Sequence, residues 1–521
     1  MAKVITAYQA AKLIRNGDTV AMSGFANGMC FPEKLCQAAE EVFLETGNPK
    51  DLTLFFASGN GDSGKSNFGL DHFSHPGMVS TVIGGHVGLA KKLSGLINEN
   101  KIAAYNLPQG VVVNLFRAIA GGRIGFLTHV GLGTFADPRV DGAKMNTAAK
   151  EDIVEFLTIG GQEQLLYKSR PINVAFIRGT TADEYGNIGI EKEAIKLETL
   201  PLAQAAKNSG GIVIAQVERL AERGTLNPMQ VQVPGIMVDY VVVDPEQSQT
   251  LISKYNPYYS GELRACVGNL LGNRMEMNLR KIIAKRCAME LEKNAIVNLG
   301  IGVPDGISAV ALEEMISDQV NMTIEAGPIG GIPAGGLELG AASNADAIIS
   351  QPDMFDYYDG GGLDLAFLGL AQADMKGNIN VSKFAGRMVG CGGFVDITQN
   401  AKKVVFCGTF TSGKPKYDIR DGELHIIEDG SSMKFVKQVE QITFSGEYAV
   451  RSGREILYVT ERAVFRLSEK GMELIEIAPG IDLERDILEK MEFKPIISEN
   501  LRKMDPSIFI DRPMGLISKF K

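Results

Sequence analysis

The chain has 521 residues, too many for one ordinary hydrophobic core, so we expect two domains. Apolar residues account for 45% of the sequence and charged residues for 22%, which is typical of a globular protein. The net charge of −9 argues against nucleic acid or an anionic membrane surface as the main partner, but it does not exclude a local basic pocket for a phosphorylated ligand.

Nothing in the sequence predicts export, membrane insertion or disulfide bonding. Its start, MAKVITAYQAAKLIRNGD, lacks the apolar region of a secretory signal, and the longest apolar runs are far too short to span a bilayer. The six cysteines are sparse and form no CxxC pair, so we expect reduced thiols, no zinc site and a cytoplasmic protein.

The first predicted elements are a strand, a glycine-rich turn and a helix. Residues 17–41 read GDTVAMSGFANGMCFPEKLCQAAEE, in which a buried strand leads to glycines and then to Pro32 at the start of an amphipathic helix. Residues 294–314 read NAIVNLGIGVPDGISAVALEE and repeat that order around Pro304. A strand, a glycine-rich turn and a helix N-terminus can together bind an anionic group.

The loop that follows the predicted strand LTLFFAS imitates a nucleotide-binding motif. Residues 59–66, GNGDSGKS, fit the pattern GxxxxGK[ST] and would place Lys65 against phosphates. That motif requires a helix directly after the lysine, but the next residues, NFGLDHFSHPG, are poor helix formers. We therefore favour a glycine-rich loop over a site for ATP or GTP hydrolysis.

Three histidines lie in or near these loops. His72 and His75 lie in DHFSHPG, but without HExxH or a cysteine cluster the segment predicts a polar loop and not a metal site. His86 follows a predicted strand in IGGHVG, where it either borders a pocket or is a packed, hydrogen-bonded histidine.

Two further segments place backbone donors at predicted strand ends. LPQGVV contains Gln109 and Gly110, and GLGTFADPR contains Gly131, Gly133 and Thr134. Ligands of open α/β sheets bind at such ends, so these residues are candidates for holding a substrate carboxylate. The alternative is that they form turns with no part in binding.

An internal repeat organises the chain. Residues 175–192 read AFIRGTTADEYGNIGIEK, and residues 366–383 read AFLGLAQADMKGNINVSK. In both copies an apolar run leads to AD-xx-GN, which predicts a strand, a turn and a second strand. The fold class is therefore α/β, with two related open domains in tandem and mostly parallel sheets flanked by helices. We place the boundary in the irregular polar segment 250–278, which gives domains 1–275 and 276–521.

Glu325 is a candidate nucleophile. It follows a strand-like run in VNMTIEAGPIGGIPAGG, where glycines and prolines dominate the residues that come after it. A carboxylate in such a segment has little local solvation and can attack a thioester carbonyl. From local sequence alone, the alternative is a solvated glutamate at a turn.

The glycine cluster GCGGF at residues 390–394 is a candidate for binding an oxyanion. Its small side chains expose backbone N–H groups, which can stabilise an oxyanion or bind a phosphate or pantetheine; the alternative is a plain turn. Cys391 has no histidine near it in sequence, so we expect a small packing residue and not a nucleophile.

In combination, these segments resemble the family I coenzyme A transferases along essentially the whole chain. The resemblance rests on EAGPIGG, which begins at Glu325, on GCGGF, on the N-terminal strand and glycine turn, and on the tandem halves. Segments such as DYYDGGGLDLAFLGLA and VPGIMVDYVVV are similar to the propionate (lactate/acetate) CoA-transferase branch, in which both halves are fused in one polypeptide.

Two positions depart from the general family signatures. The N-terminal GGF run is SGF at residues 23–25, and the active-site Ser-Glu-Asn-Gly is IEAG at residues 324–327. The second difference removes one polar contact beside the glutamate but retains the nucleophile, so it bears on substrate preference more than on mechanism.

The resemblance implies an enzyme that transfers CoA from a short-chain acyl-CoA to a second carboxylic acid of the acetate, propionate and lactate class. Glu325 would be the catalytic nucleophile and would carry a glutamyl-CoA thioester, which gives ping-pong kinetics. Gly390, Gly392 and Gly393 would bind CoA and the oxyanion, with Gly392 or Gly393 as the oxyanion donor. CoA would be a substrate, no resident metal, nucleotide or redox cofactor would be needed, and the enzyme would be a homotetramer.

The resemblance also assigns the acyl and acid side to domain 1–275, and the catalytic glutamate and CoA side to domain 276–521.

Three alternative functions remain from the sequence. They are an acyl-CoA hydrolase on the same scaffold, a P-loop nucleotide hydrolase that uses Lys65, and a sugar-phosphate isomerase or non-catalytic binding module, since a fold alone does not settle function.

Overall fold

The structure is a computed structural model that describes residues 2–266 and 275–521. The chain forms two compact units, and neither is one continuous stretch of sequence. The first unit comprises residues 1–264, 324–356 and 384–396, and the second comprises residues 265–323, 357–383 and 397–521. The predicted boundary near residue 275 stays a prediction, and residues 267–274 of the segment that was to contain it lie outside the described residues.

The first unit is built on an eight-stranded sheet in which every neighbouring pair of strands is parallel. Runs such as TVAM and LTLFF are buried throughout, as expected where helices cover both faces of a parallel sheet. In order across the sheet, the strands are Lys3–Val4, Tyr240–Val243, Ile212–Val217, Val174–Arg178, Thr19–Met22, Leu52–Phe56, Val79–Gly84 and Ala103–Asn106.

Smaller sheets extend the first unit. A sheet of four strands contains Arg219–Ala221, Thr181–Asp183, Ile188–Gly189 and Val231–Val233, and a sheet of three contains Gly125–Thr128, Gln162–Lys168 and Val154–Ile159. Further short strands are Pro328–Ile329, Ile332–Pro333, Ala342–Ser343, Ala347–Ile348 and Arg387–Met388, and the strand Lys383–Phe384 spans the point in the sequence where the second unit passes into the first.

Two helices begin where the sequence predicts them. The α-helix Glu33–Thr46 starts directly after Pro32, and Asp305–Glu313 starts directly after Pro304. The other α-helices are Ala7–Ala11, Lys91–Asn98, Gln109–Ala120, Thr199–Asn208, Pro257–Ser260, Leu279–Ala288, Gln351–Asp359, Phe394–Asn400, Gly446–Arg451, Leu483–Asp486 and Ile517–Phe520. Short 3-10 helices span Gly69–Phe73, Pro228–Gln230, Gly235–Met237, Ser317–Gln319, Gly336–Glu338, Leu488–Lys490 and Pro506–Phe509.

The second unit has its own mixed sheet, which is parallel over its first five strands, antiparallel over the next two pairings and parallel again at its last pair. In order, its strands are Asn321–Thr323, Ile296–Leu299, Leu365–Gly369, Lys403–Cys407, Glu455–Val459, Ala463–Ser468, Gly471–Ile477 and Ile496–Lys503. Short strand pairs are Gln372–Ala373 with Ile379–Asn380, Thr411–Ser412 with Ser432–Met433, and Lys416–Arg420 with Glu423–Glu428.

The repeated AD-xx-GN sequence folds into the same turn in each unit. In the first unit Asp183 accepts the N–H groups of Tyr185 and Asn187, both at 2.9 Å. In the second unit Asp374 accepts the N–H of Asn378 at 3.1 Å in the same way. Strands precede and follow both turns, so the predicted strand, turn and strand are confirmed, as is the α/β fold of mostly parallel sheets flanked by helices.

No helix in the described part of the chain combines the length and the apolar character that a bilayer crossing requires.

Candidate active site

Glu325 lies in a tight turn just after the strand Asn321–Thr323, as the sequence predicts. The N–H of Gly327 donates to the Ile324 carbonyl at 2.9 Å, and the N–H of Ile324 donates to the Pro328 carbonyl at 3.0 Å. These bonds close a hairpin with Glu325 at its tip. Glu325 itself is partly exposed.

The residues on either side of Glu325 hold this turn in an apolar cluster. Ile324 is 6% exposed and Ala326 is fully buried, and both pack in the same cluster as Phe25 and Met29 of the N-terminal glycine loop. Phe25 and Met29 exchange two backbone hydrogen bonds of 2.9 Å, which stiffens that loop. The packing of these neighbours therefore helps to fix the position of the Glu325 backbone.

The GCGGF segment lies against the loop that follows the strand Val79–Gly84. The N–H of Val87 donates to the Val389 carbonyl at 2.8 Å, and the N–H of Gly392 donates to the Gly85 carbonyl at 2.8 Å. The cluster is therefore more than a plain turn, because its backbone is bonded to the C-terminal edge of the parallel sheet, where ligands of such folds bind.

Asn106 fastens the two loops to each other, and the sequence did not single it out. Its amide donates to the carbonyls of Gly84 at 2.8 Å and Gly85 at 2.6 Å, and its Oδ1 accepts the N–H of Cys391 at 3.0 Å. Asn106 is 1% exposed and ends the strand Ala103–Asn106. The only signal in the sequence is a polar residue at the end of an apolar strand, just before LPQG.

Gly390 shows why this segment needs glycine. Its φ of +93° is a conformation that other residues rarely adopt. A Cβ atom there would lie 2.8 Å from both the Gly85 carbonyl oxygen and the His86 Cα. A side chain at Gly390 would therefore push the two loops apart.

The hydrogen bonds decide which donors near GCGGF are still available. The N–H of Gly392, one of the two predicted oxyanion donors, is engaged with Gly85. The N–H of Gly393 has no acceptor among the residues that the structure describes. Gln109 donates its backbone N–H to the Gly392 carbonyl at 3.0 Å, while its buried Nε2 has no partner in the described residues. Gly393 N–H and Gln109 Nε2 are thus two unused donors close to Gly392.

Gln109 and Gly110 differ from their predicted placement, because they begin the helix Gln109–Ala120 and do not end a strand. The strand ends at Asn106, and Pro108 is the residue that precedes the first helical turn. Proline cannot donate to a sheet ladder, so the chain leaves the sheet before it reaches Gln109.

Gly131, Gly133 and Thr134 also depart from the predicted placement, because they follow Gly125–Thr128 of the antiparallel sheet of three and not a strand of the open parallel sheet. The N–H of Gly133 donates to Asp137 at 2.9 Å, and the Thr134 hydroxyl donates to the Gly131 carbonyl at 2.7 Å. These donors are consumed within their own turn, so a role in binding a substrate carboxylate stays a prediction that this geometry does not favour.

His86 borders the GCGGF segment through a backbone bridge to Gly390. Although the residue is partly exposed, burial of its ring and, to a smaller extent, the charge of Lys91 lower the pKa of His86 to about 4. The imidazole is therefore neutral at neutral pH and can accept or donate one hydrogen bond without adding charge beside the loop.

Cys391 is buried, and burial followed by the charge of Asp396 raises the pKa of its thiol well above the usual value. A protonated thiol is a poor nucleophile. The structure thus supports the interpretation of Cys391 as a packing residue.

The P-loop-like segment is closed to phosphate by its own aspartate. Asp62 accepts the N–H groups of Gly64 at 3.0 Å and Lys65 at 2.9 Å, and the Ser66 hydroxyl at 2.5 Å. Burial alone raises the pKa of Asp62, but these bonds outweigh it and lower that pKa, so the carboxylate stays charged where phosphate would bind. Lys65 is exposed, and the next element is the short 3-10 helix Gly69–Phe73.

His72 and His75 lie in an ion-pair cluster with two glutamates of the helix Glu33–Thr46. His72 Nε2 is 2.7 Å from Glu33 Oε1, His72 Nδ1 is 2.5 Å from Glu40 Oε2, and His75 Nε2 is 2.6 Å from Glu40 Oε1. In residues 2–266 and 275–521, no group of three or more histidine, cysteine and acidic side chains has the geometry of a metal site. Each of the six cysteines is a free thiol.

We expect His72→Gln to lower the free energy of unfolding by about 1.5–3 kcal/mol at pH 6, because hydrogen bonds to charged groups are of that size. Burial by itself lowers the pKa of His72, but Glu33 and Glu40 outweigh it and raise that pKa above 6.5. The stabilisation is therefore complete below pH 6.5 and is lost as the pH rises through the raised pKa. Chemical denaturation at pH 6 and pH 9 measures the difference.

The matched control for that measurement is His425→Gln. His425 Nε2 is 3.6 Å from Glu423 on an exposed hairpin, so its loss should leave stability unchanged at either pH. An equal deficit of His72→Gln at pH 6 and pH 9 would show that shape, and not charge, accounts for its contribution.

Comparison with known proteins shows the family of this chain. The Coenzyme A transferase family model matches residues 4–244. A caffeate CoA-transferase from Acetobacterium woodii is 47% identical over 528 aligned positions, which cover 99% of this chain and 99% of that protein. The chain belongs to the coenzyme A transferase family.

Two further CoA-transferase comparisons place the whole chain within this family. The acetate CoA-transferase YdiF of Escherichia coli O157:H7 is 41% identical over 515 positions, 99% of this chain and 96% of that protein. The crystal structure of the YdiF apoenzyme matches with a TM-score of 0.93 at 41% identity and covers 99% of this chain and 97% of that one. The predicted family, fold and enzyme class, a CoA-transferase, are confirmed.

Proposed function

We propose that this CoA-transferase moves CoA from a short-chain acyl-CoA to a second carboxylic acid through a thioester on Glu325. The observation that carries the proposal is the placement of Glu325 at the tip of a turn that packing holds at the end of a strand, partly exposed. A relative supports the proposal. The structure of YdiF in a thioester complex with CoA matches this chain with a TM-score of 0.92, at 40% identity over 99% of this chain.

The proposed chemistry has two exchanges at one carboxylate. Glu325 attacks the acyl-CoA carbonyl, the C–S bond breaks, and a mixed anhydride and CoA thiolate result. The thiolate then attacks the glutamyl carbonyl and expels the first acid, which leaves the glutamyl-CoA thioester. A second acid reverses both steps and departs as its CoA ester, so the kinetics are ping-pong.

Each tetrahedral stage places negative charge on a carbonyl oxygen, and preorganised donors must stabilise it. We assign this role to the N–H of Gly393, with the side-chain amide of Gln109 as a second donor, because neither donates a hydrogen bond in the described residues. The N–H of Gly392 already donates to the Gly85 carbonyl. Gly390 and Gly392 then support the backbone that presents Gly393. The anhydride and thioester are prone to hydrolysis, so the site must also exclude water.

The acceptor is proposed to be an acid of the acetate, propionate and lactate class. The names of two relatives, an acetate and a caffeate CoA-transferase, define the range to be tested. Because one methylene changes selectivity by only about 1–3 kcal/mol, a panel of acids is needed. We also propose that CoA is a substrate, that the enzyme has no resident cofactor and that it is cytoplasmic. We further propose a homotetramer, and analytical ultracentrifugation would measure its mass.

The test is intact-mass and peptide analysis after the protein is mixed with acetyl-CoA and no acceptor. We expect an adduct of the mass of CoA on the peptide that contains Glu325, which propionate then discharges as propionyl-CoA. Steady release of free CoA without an adduct would favour the hydrolase. No adduct with any acyl-CoA, together with ATP binding that Lys65→Ala removes, would favour the nucleotide hydrolase.

A further inference from the structure

Asp396 is a fully buried carboxyl group where the starts of two helices meet. It is 0% exposed and lies in the first turn of the helix Phe394–Asn400. Its Oδ1 also lies against the first turn of the helix Gln109–Ala120, since a Cβ atom on Gly110 would be only 2.5 Å from it. The proposed chemistry does not use this group, and the sequence did not single it out.

Neither oxygen of Asp396 has a hydrogen-bond partner in the described part of the chain. The N–H groups of Gly110 and Val111, in the first turn of the second helix, lie near enough to influence it, although neither forms a hydrogen bond with it. Burial raises the pKa of Asp396 to about 7, while these N–H groups pull in the opposite direction. The carboxyl group thus lies in the first turn of its own helix and beside the positive end of the helix Gln109–Ala120, and it is buried, which strengthens such a contact.

Both unused donors of the site depend on these same two helix starts. Gly393 is the residue directly before the helix Phe394–Asn400, so the start of that helix sets the direction of its N–H. Gln109 is the first residue of its helix and is tied to the Gly392 carbonyl at 3.0 Å. A group that fixes one helix start against the other therefore fixes the two donors relative to each other.

We infer that Asp396 is a positioning residue of the transfer reaction, which holds the Gly393 N–H and the Gln109 amide in register for the oxyanion. The inference rests on the proposed function. In this role Asp396 acts only through the two donors. Because these donors act on charge that develops in the transition state, displacement of them lowers kcat and leaves KM almost unchanged.

The test compares Asp396→Ala, Asp396→Asn and wild type in the full-length protein with acetyl-CoA and propionate. Removal of an oxyanion donor costs about 10²–10³ in rate, so its displacement in Asp396→Ala should lower kcat by about 10- to 100-fold. The KM for acetyl-CoA should stay within about twofold. Asn fills the same space against Gly110 and keeps one carbonyl oxygen that faces the helix starts, so Asp396→Asn should stay within about fivefold of wild type.

The matched control is Asp374→Ala, which removes another buried aspartate from the repeated turn of the second unit. It should lower thermal stability and leave kcat per folded enzyme unchanged. The amount of CoA adduct at saturation counts the folded active sites in every variant, so loss of folding is separated from loss of rate.

The outcomes separate this inference from the proposed function. If wild type forms no adduct, the proposed function is wrong, and the inference about Asp396, which rests on it, is wrong as well. If wild type forms the adduct and Asp396→Ala keeps kcat per active site, or if Asp396→Asn is as slow as Asp396→Ala, the positioning role is wrong and the proposed function stands.

Discussion

Glu325→Gln is expected to form no CoA adduct and to lower turnover by at least about 10⁴-fold, the scale of losing a catalytic nucleophile. The amide keeps the shape of the side chain and the packing of Ile324 and Ala326 around it, so the turn should persist. An amide oxygen is too weak a nucleophile to displace CoA thiolate. Glu325→Asp should keep at most a trace of activity, because its carboxylate is withdrawn by one methylene from the reacting carbonyl.

The matched control for that loss is Glu338→Gln, in the same unit. Glu338 accepts hydrogen bonds from Tyr259 at 2.7 Å and from Thr250 at 3.0 Å, which makes it a structural carboxylate. This variant should retain the adduct at Glu325, although it unfolds more readily. Peptide mass must exclude deamidation of the introduced glutamine back to glutamate in Glu325→Gln, and full turnover in a sample so checked would refute the assignment of Glu325.

The parts of the structure that local sequence predicts are those whose geometry a few neighbouring residues determine. The two AD-xx-GN turns are examples, because Asp183 and Asp374 each bond the backbone of their own turn. The helix that starts after Pro32 is another, since proline fixes φ and needs no donor there. Glu325 at a strand end belongs with them, because the apolar run and the glycines that follow are contiguous.

The contacts around the GCGGF segment could not be predicted from local sequence, because they join residues that lie far apart in the chain. Asn106 and Cys391 are bonded across 285 positions, and no pattern of a few residues contains such a pairing. The same holds for Asp396 and Gly110, whose contact depends on two helices that begin at one place. Local sequence also could not show which glycine N–H remains free. The answer depends on the Gly85 carbonyl, which accepts the N–H of Gly392.

Gly110→Ala is expected to destabilise the protein by about 1–3 kcal/mol and to lower kcat by at least about tenfold. A Cβ atom on Gly110 would lie 2.5 Å from Asp396 Oδ1 and 2.7 Å from Phe355 Cγ, both too close for contact. The helix must therefore shift, and Gln109 shifts with it. Denaturation and steady-state kinetics with acetyl-CoA and propionate measure the two effects.

Gly95→Ala is the control that separates crowding from the ordinary effect of alanine in a helix. Gly95 lies in the helix Lys91–Asn98 of the same unit, and a Cβ atom there would meet nothing within 4 Å. Alanine is a better helix former than glycine by about 0.8–1 kcal/mol, so Gly95→Ala should be neutral or more stable, with unchanged kcat. If Gly110→Ala behaves like Gly95→Ala, the contact between Gly110 and Asp396 does not constrain the donors. If only Gly110→Ala loses kcat, the space filled by the Asp396 carboxyl is part of what places Gln109 and Gly393.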